Sequence, residues 1–314
     1  MKNFTRGTSK LGALLLVGGL LLAPVSALAQ TADDGISLTV TPLTREVNVD
    51  PGETITGEVE FTNDSNSAVT LYPVVNDFEA SNDPDSGAPE FKSVTNEQGL
   101  ASWTNFDLDQ VSLEAGQKGT FTYTIQVPDN ADPGGHYGAV FGSTEAPNTG
   151  DSGSTIGIAA RVGSLLLLTV SGEITTQGEI VDFRTDNNIY QSGPVNFRIA
   201  VKNNGNVHFT PMGTIDISGP TSKSIQVNDD EGRVLPSSVR NYDVSLTDDL
   251  PFGRYTANVD IMGKAPNGET VPLTATTTFW VVPFSAILVL LLVLVILYML
   301  LKSWSHSDGK KSKK

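Results

Sequence analysis

The side chains able to do chemistry are few and scattered. Between the two apolar ends of the chain lie two histidines, His136 and His208, and neither sits in a nucleophile elbow or a His-Glu-x-x-His pair. No cysteine is present, so disulfides, thiolate zinc sites, thiol nucleophiles and a lipid-modified N-terminal Cys are excluded. Asp83, Asp85 and Glu90 flank one polar loop, and several carboxylates in a flexible loop can chelate Ca²⁺. Their spacing fits no full EF-hand, and a solvated loop accounts for the same residues. Carboxylate pairs of the kind that hydrolyse glycosides cannot be singled out among acids spread through so many turns. His136-Tyr137 behind Gly134-Gly135 is the one place where uncommon residues gather. Trp103, His136 and Tyr137 are therefore the candidate ligand contacts, Trp103 and Tyr137 as aromatic platforms for a sugar, against the alternative of a turn feeding a core tyrosine. His208 beside Phe209 reads as a strand-face residue. No catalytic residue and no cofactor is expected, so the chain reads as a binder rather than an enzyme.

What must position these residues is set first by the chain's ends. Residues 280–301, Trp280 to Leu301, carry no charge and suffice for the roughly 30 Å hydrocarbon core of a bilayer. Trp280, Phe284, Tyr298 and Trp304 mark the boundaries as interfacial aromatics do, and Lys302, Lys310, Lys311, Lys313 and Lys314 follow with one acid, Asp308. By the positive-inside bias the tail 302–314 is cytoplasmic. At the other end, Lys2, Arg6 and Lys10 precede the apolar run Leu11–Leu22 and a small-x-small site at Ala27-Leu28-Ala29, the pattern of a signal peptide over 1–29. The expected topology is single-pass type I, in a cell membrane with the ectodomain outside.

The formal charge of −15 hides an asymmetry. Setting aside the leader's three bases and the tail's five Lys and one Asp leaves 12 bases and 34 acids, a balance near −22. Such a field repels nucleic acid, which is excluded as a partner, and favours solubility and basic partners.

Between the ends the chain reads as strands. Ile36, Leu38 and Val40 alternate with Ser37, Thr39 and Thr41; Ile55, Val59 and Phe61 alternate with polar neighbours; Phe121, Tyr123, Ile125 and Val127 point one way. Asp50-Pro51-Gly52-Glu53 is a turn with a mechanism, Pro presetting φ and Gly supplying its reverse, and Asn203-Asn204-Gly205-Asn206 carries the Asn-Gly hairpin signal. Leu165-Leu166-Leu167-Leu168 is apolar at every position, as a strand covered on both faces would be. No stretch of the first domain sustains a helical period. The expected fold is all-β: two tandem immunoglobulin-like antiparallel β-sandwiches over 30–173 and 174–279, and one C-terminal transmembrane helix.

Thr39-Val40-Thr41-Pro42, Val49-Asp50-Pro51-Gly52-Glu53, Val59-Glu60-Phe61-Thr62-Asn63, Ala101-Ser102-Trp103, Val127-Pro128-Asp129-Asn130-Ala131 and Gly134-Gly135-His136-Tyr137 together resemble the bacterial DUF916 family, the N-terminal part of WxL-interacting proteins. The resemblance covers the whole layout, including the second sandwich, the anchor and the Lys-rich tail. It implies a cell-surface protein whose first domain contacts peptidoglycan or a glycan and whose second binds a WxL-type or other surface protein. The alternatives in other classes are an exported enzyme, an inhibitor, or a membrane-tethering subunit of another extracytoplasmic complex.

Overall fold

The computed structural model describes residues 35–93, 96–146 and 160–308. The expected leader over 1–29, most of the polar insertion 145–155 and the last six residues lie outside the described residues.

Strands β1 (Leu38–Thr41), β3 (Thr54–Asn63), β8 (Lys118–Gln126) and β6 (Thr104–Phe106) form one sheet in the order β1-β3-β8-β6. Facing it, β2 (Thr44–Val49), β10 (Arg161–Val170), β9 (Gly134–Ser143), β4 (Val69–Ala80) and β5 (Pro89–Phe91) run in the order β2-β10-β9-β4-β5, with β7 (Val111–Leu113) pairing β4. The second sandwich places β11 (Gly178–Thr185), β13 (Val195–Asn203) and β16 (Val239–Leu246) in a sheet ordered β11-β13-β16. Its other sheet contains β12 (Ile189–Tyr190), β18 (Thr270–Val281), β17 (Gly253–Lys264), β14 (Thr210–Ser218) and β15 (Lys223–Val227), ordered β12-β18-β17-β14-β15. The chain is thus all-β, two tandem immunoglobulin-type sandwiches followed by one apolar helix. Two strand pairs depart from the antiparallel rule: β2 with β10 and β12 with β18 are parallel.

Alternation builds both cores. In the first, Val59, Phe61, Phe121, Tyr123 and Ile125 from one sheet meet Leu71, Val140, Leu166 and Leu168 from the other. In the second, Phe197, Ile199 and Val201 meet Tyr255, Val259, Ile261 and Phe279, with Tyr255 and Phe279 stacked at 5.4 Å. Each large side chain so buried contributes about 1.5–3 kcal/mol, which is how a chain without cysteine holds two domains.

Both sandwiches close on a buried asparagine at the end of a core strand. Asn63 Nδ2 donates to the carbonyls of Ser67, Leu113 and Glu114, and its Oδ1 accepts from the Ser65 N–H and hydroxyl. Asn203 repeats the device, donating to the carbonyls of Val207 and Val234 and accepting from the Gly205 N–H. Each clamps a turn to a distant strand with bonds that solvent cannot replace, since both side chains are fully buried.

Two elements differ from the sequence reading. A single helical turn, α1 (Leu100–Trp103), forms where the sequence showed no helical period, and the carboxylate of Asp77 in β4 accepts its Ala101 N–H at 2.7 Å. The apolar helix α2 spans Phe284–Asp308, not residues 280–301. Trp280 and Val281 are held in the sheet by β17 and β12, so the second sandwich runs on to Val281, past residue 279. The helix can start only past Pro283, whose carbonyl accepts the Ile287 N–H. From Phe284 to Lys302 it has a mean hydropathy of 3.1 with none of that stretch buried, and at 1.5 Å per residue it is long and apolar enough to cross a membrane.

Candidate functional site: the seam between the sandwiches and the open edge beside it

The run of four leucines points to the seam. In β10 the even-numbered residues face the first core, while Leu165 and Leu167 face outward with Phe78, Ala139, Tyr137 and Phe141. That outer face is capped by Leu235 of the second sandwich. Both faces of β10 are therefore covered, one by its own domain and one by its neighbour.

Polar struts fix the seam on either side of this apolar patch. Glu46 in β2 takes a hydrogen bond from Arg233 Nε at 2.5 Å and lies 3.5 Å from His208 Nε2. The hydrogen bond with His208, reinforced by the charge of Arg233 and opposed by burial, holds the Glu46 carboxyl at about 2. The Tyr137 hydroxyl accepts the His208 backbone N–H at 2.9 Å and meets His208 Nδ1 at 3.2 Å; burial pushes its pKa well up. Close by, the Gly135 N–H donates to the Asn206 carbonyl at 2.8 Å, and Asn206 Nδ2 donates to the carbonyls of Pro133 and Glu173. Gly134 sits at φ 124°, and a Cβ there would lie 2.7 Å from the Asn206 oxygen, so this approach needs glycine. On the far side the Asn241 N–H donates to the Pro84 carbonyl at 2.9 Å, its Nδ2 donates to Asp85 Oδ1 at 2.6 Å, and Arg198 stands 3.5 Å from the same carboxylate. Between the struts a cleft of about 200 Å³ remains, walled by Phe78, Leu165 and Leu167 on one side and Leu235, Arg233 and Arg240 on the other.

This geometry revises each candidate residue. Trp103 is only 4 % exposed, its Nε1 donates to the Glu97 carbonyl, and its ring lies 4.6 Å from that of His136, so it cannot serve as a platform for a sugar. His136 has both ring nitrogens within 2.9 Å of backbone carbonyls, those of Gln98 and Asp132, and none left to act as a base. Tyr137 belongs to the seam. His208 is 2 % exposed and buried against Glu46 and Tyr137, so it is not on an open strand face. Asp83, Asp85 and Glu90 are not brought together. Asp83 Oδ1 accepts the Asp85 N–H, Asp85 turns to Asn241 and Arg198, and Glu90 turns to Asn82 and Lys92. Among the described residues no three Asp, Glu, His or Cys side chains form a metal-binding group.

Beside the seam, the second sandwich is open. β15 and β16 end their respective sheets, and among the described residues neither pairs with another strand on its outer side. Because the Asn241 N–H points outward to Pro84, strand alternation directs the N–H and C=O of Asp243 and Ser245 outward too. Those groups have no partner among the described residues. A groove of about 660 Å³ runs between the two edges, with half-buried Ile225 and Val244 in its floor beside buried Tyr242. Burial raises the Tyr242 pKa, and its hydroxyl donates to the Gly232 carbonyl at 2.9 Å. Arg240 lines both cleft and groove, its guanidinium 5.5 Å above the Tyr242 ring and bonded to the Arg233 carbonyl, with no carboxylate within 4.0 Å among the described residues. Nothing in the sequence from Tyr242 to Leu246 signals that this strand is an edge. Glu46, Arg233 and Arg240 carry no local pattern either.

No protein-family model matches the chain, and no curated protein is significantly similar to it in sequence. Solved structures that resemble it include the chaperone–tip adhesin complex of CFA/I fimbriae, at 11 % identity and a TM-score of 0.39 over 77 % of this chain and 98 % of that one. The class 5 fimbriae chaperone CfaA scores 0.38 at 13 % identity, over 79 % of this chain and 100 % of its own. The CsuC–CsuE chaperone–tip adhesion subunit complex of Acinetobacter baumannii scores 0.37 at 14 % identity, over 76 % and 98 %. All three scores are below 0.5, and at that level the likeness says nothing of what this chain binds.

Proposed function

We propose that this chain is a non-enzymatic binding protein of the bacterial cell surface, anchored by α2 with its sandwiches outside, and of the WxL-interacting kind. The second sandwich takes an extended segment of a surface protein as an added strand on β16. The observation that carries this reading is the outward backbone of Asp243 and Ser245 alongside the half-buried Ile225 and Val244. Such an edge offers main-chain hydrogen bonds for affinity and alternate side-chain pockets for selection. Burial of apolar floor residues by the incoming strand would supply the driving force.

The first sandwich contacts peptidoglycan or a surface glycan through its sheet β1-β3-β8-β6, which lies on the side away from the seam. Thr56 and Thr124 are register partners on the outer face of that sheet, as are Glu58 and Thr122, giving a flat face of hydroxyls and carboxylates that suits a polyol. Trp103 has no part in it.

The test uses the full chain in detergent, a purified WxL-type surface protein and isolated cell-wall sacculi. Ser245→Pro removes one outward N–H from the edge without touching the core. Wild-type chain retaining the surface protein, with loss of that retention in Ser245→Pro and unchanged binding to sacculi, supports the reading. Equal retention by both chains rules out strand addition at β16, and hydrolysis of the sacculi would overturn the non-enzymatic reading.

A further inference from the structure

The junction between β18 and α2 is short and stiff. Only Val282 and Pro283 separate sheet from helix. The Val282 N–H donates to the Tyr190 carbonyl at 2.7 Å, and Gln191 Nε2 reaches Ser285 Oγ at 3.2 Å, so the linker is bonded to β12 and the helix's first turn to the residue just after it. The depth at which α2 sits therefore fixes the height of this end of the sandwich.

Large apolar side chains are exposed at that same end: Phe252 at 62 %, Phe284 at 54 %, Ile189 at 53 % and Trp280 at 45 %. Ile189, Trp280 and Arg254 are register neighbours on β12, β18 and β17 and form one row across the sheet. Arg254 has no carboxylate within 4.0 Å among the described residues. Phe252 leads the loop into β17 and is level with Val282, since the next residue, Gly253, is the partner of Val281. Strand rise is about 3.3 Å per residue, which puts Phe252 about 7 Å and the Trp280 row about 13 Å from Phe284 along the strand. With Phe284 at the hydrocarbon boundary, the polar layer of one leaflet extends about 5–7 Å beyond it. Phe252 reaches the outer edge of that layer, and the Trp280 row reaches it where the strand leans by about 60° from the membrane normal.

We propose that the lipid headgroup layer is itself a binding partner of the second sandwich. Phe252 inserts beside α2, the row of Ile189 and Trp280 rests on the outer margin, and Arg254 meets lipid phosphate. Aromatic rings with a nearby cation are the side chains that settle at this depth. In the adjoining loop Asp248 pairs with Lys223 at 2.6 Å, while exposed Asp249 has no Lys, Arg or His within 4.0 Å among the described residues and offsets Arg254, so the matching surface is zwitterionic, not anionic, lipid. The ectodomain then stands at a fixed tilt and presents β16 in one orientation, instead of swivelling on its anchor. This inference rests on the membrane-anchoring reading.

Because the chain has no cysteine, one introduced thiol can be labelled uniquely. The full chain, in phosphatidylcholine vesicles, carries an environment-sensitive fluorophore at Phe252→Cys, Trp280→Cys, Leu43→Cys on the first sandwich, or Val293→Cys in mid-helix. Quenchers are lipids spin-labelled at the headgroup or in mid-chain. The expected result is headgroup quenching at position 252 at least about twofold above that at position 43, with 280 between them, and mid-chain quenching at 293. Equal headgroup quenching at 252 and 43, with 293 still quenched in mid-chain, overturns the proposal while leaving the anchor intact. Absence of quenching at 293 overturns the anchor and the proposal together.

Discussion

β10 in the first sandwich and β17 in the second are both long strands inside the larger sheet of their domain, yet they differ in composition. β17 alternates buried Tyr255, Ala257, Val259 and Ile261 with exposed Asn258 and Asp260, as a strand wet on one face must. β10 carries Leu165 and Leu167 where β17 carries polar residues, because Leu235 and the rest of the seam cover its outer face. The difference shows that a strand's outward residues report on what lies beyond its own domain. In this chain they record a fixed contact between two sandwiches, where a flexible linker would have left the outer face polar.

The comparison can be broken most severely at Leu167. Leu167→Ala should destabilise by about 2–4 kcal/mol and open the seam, read as a lower denaturation midpoint and faster amide exchange at residues 206–208 and 233–235. The two asparagine clamps should behave alike despite that asymmetry. Asn63→Ala and Asn203→Ala should each cost about 1–3 kcal/mol, because each strands buried carbonyls, and a large gap between them in denaturant melts would show that one sandwich depends on its clamp more.

Acid should act on the seam through Glu46. Glu46 ionises at about 2 in the folded chain against an ordinary 4.5, so its contribution is complete above pH 4.5 and is lost as pH falls from there through 2. Glu46 is 37 % exposed, and solvent screening keeps the effect modest. Exchange at residues 206–208 should rise across that window, and Glu46→Gln should flatten the response. A smaller change of opposite sign is expected at Thr169, also in β10, whose buried hydroxyl lacks a partner among the described residues. Thr169→Val should be neutral or stabilise by up to about 1 kcal/mol in the same melts. Asp260→Ala on the wet face of β17 should change stability by no more than about 0.5 kcal/mol, the reference against which the β10 variants are judged.

Much of the architecture was legible in order of residues. Alternation of Ile55, Val59 and Phe61 and of Phe121, Tyr123, Ile125 and Val127 marked core strands, and the doubly apolar Leu165–Leu168 announced a second covered face without saying what covered it. The boundary at Trp280 was misread because an apolar aromatic at the head of a hydrophobic run satisfies both a strand and a helix, and only the ladder to Arg254 and Ile189 decides between them. The candidate site was less legible. His136 and Tyr137 were picked out as uncommon residues beside Gly134-Gly135 and Trp103 as a stacking aromatic, but residue type does not distinguish a binding surface from a buried joint. Their neighbours Glu97, Asp132 and His208 settle that, and the last comes from the other domain.

By itself the sequence determined the strand content, the two cores, the absence of disulfide support and a C-terminal helix apolar enough for lipid. These follow from periodicity, composition and length, which are local quantities. Only the tertiary structure decided that Glu46 meets His208 and Arg233 and that β16 is left as an open edge. Pairing across 160 or more residues depends on which surfaces remain uncovered once both sandwiches have folded, and no window of the chain contains that information.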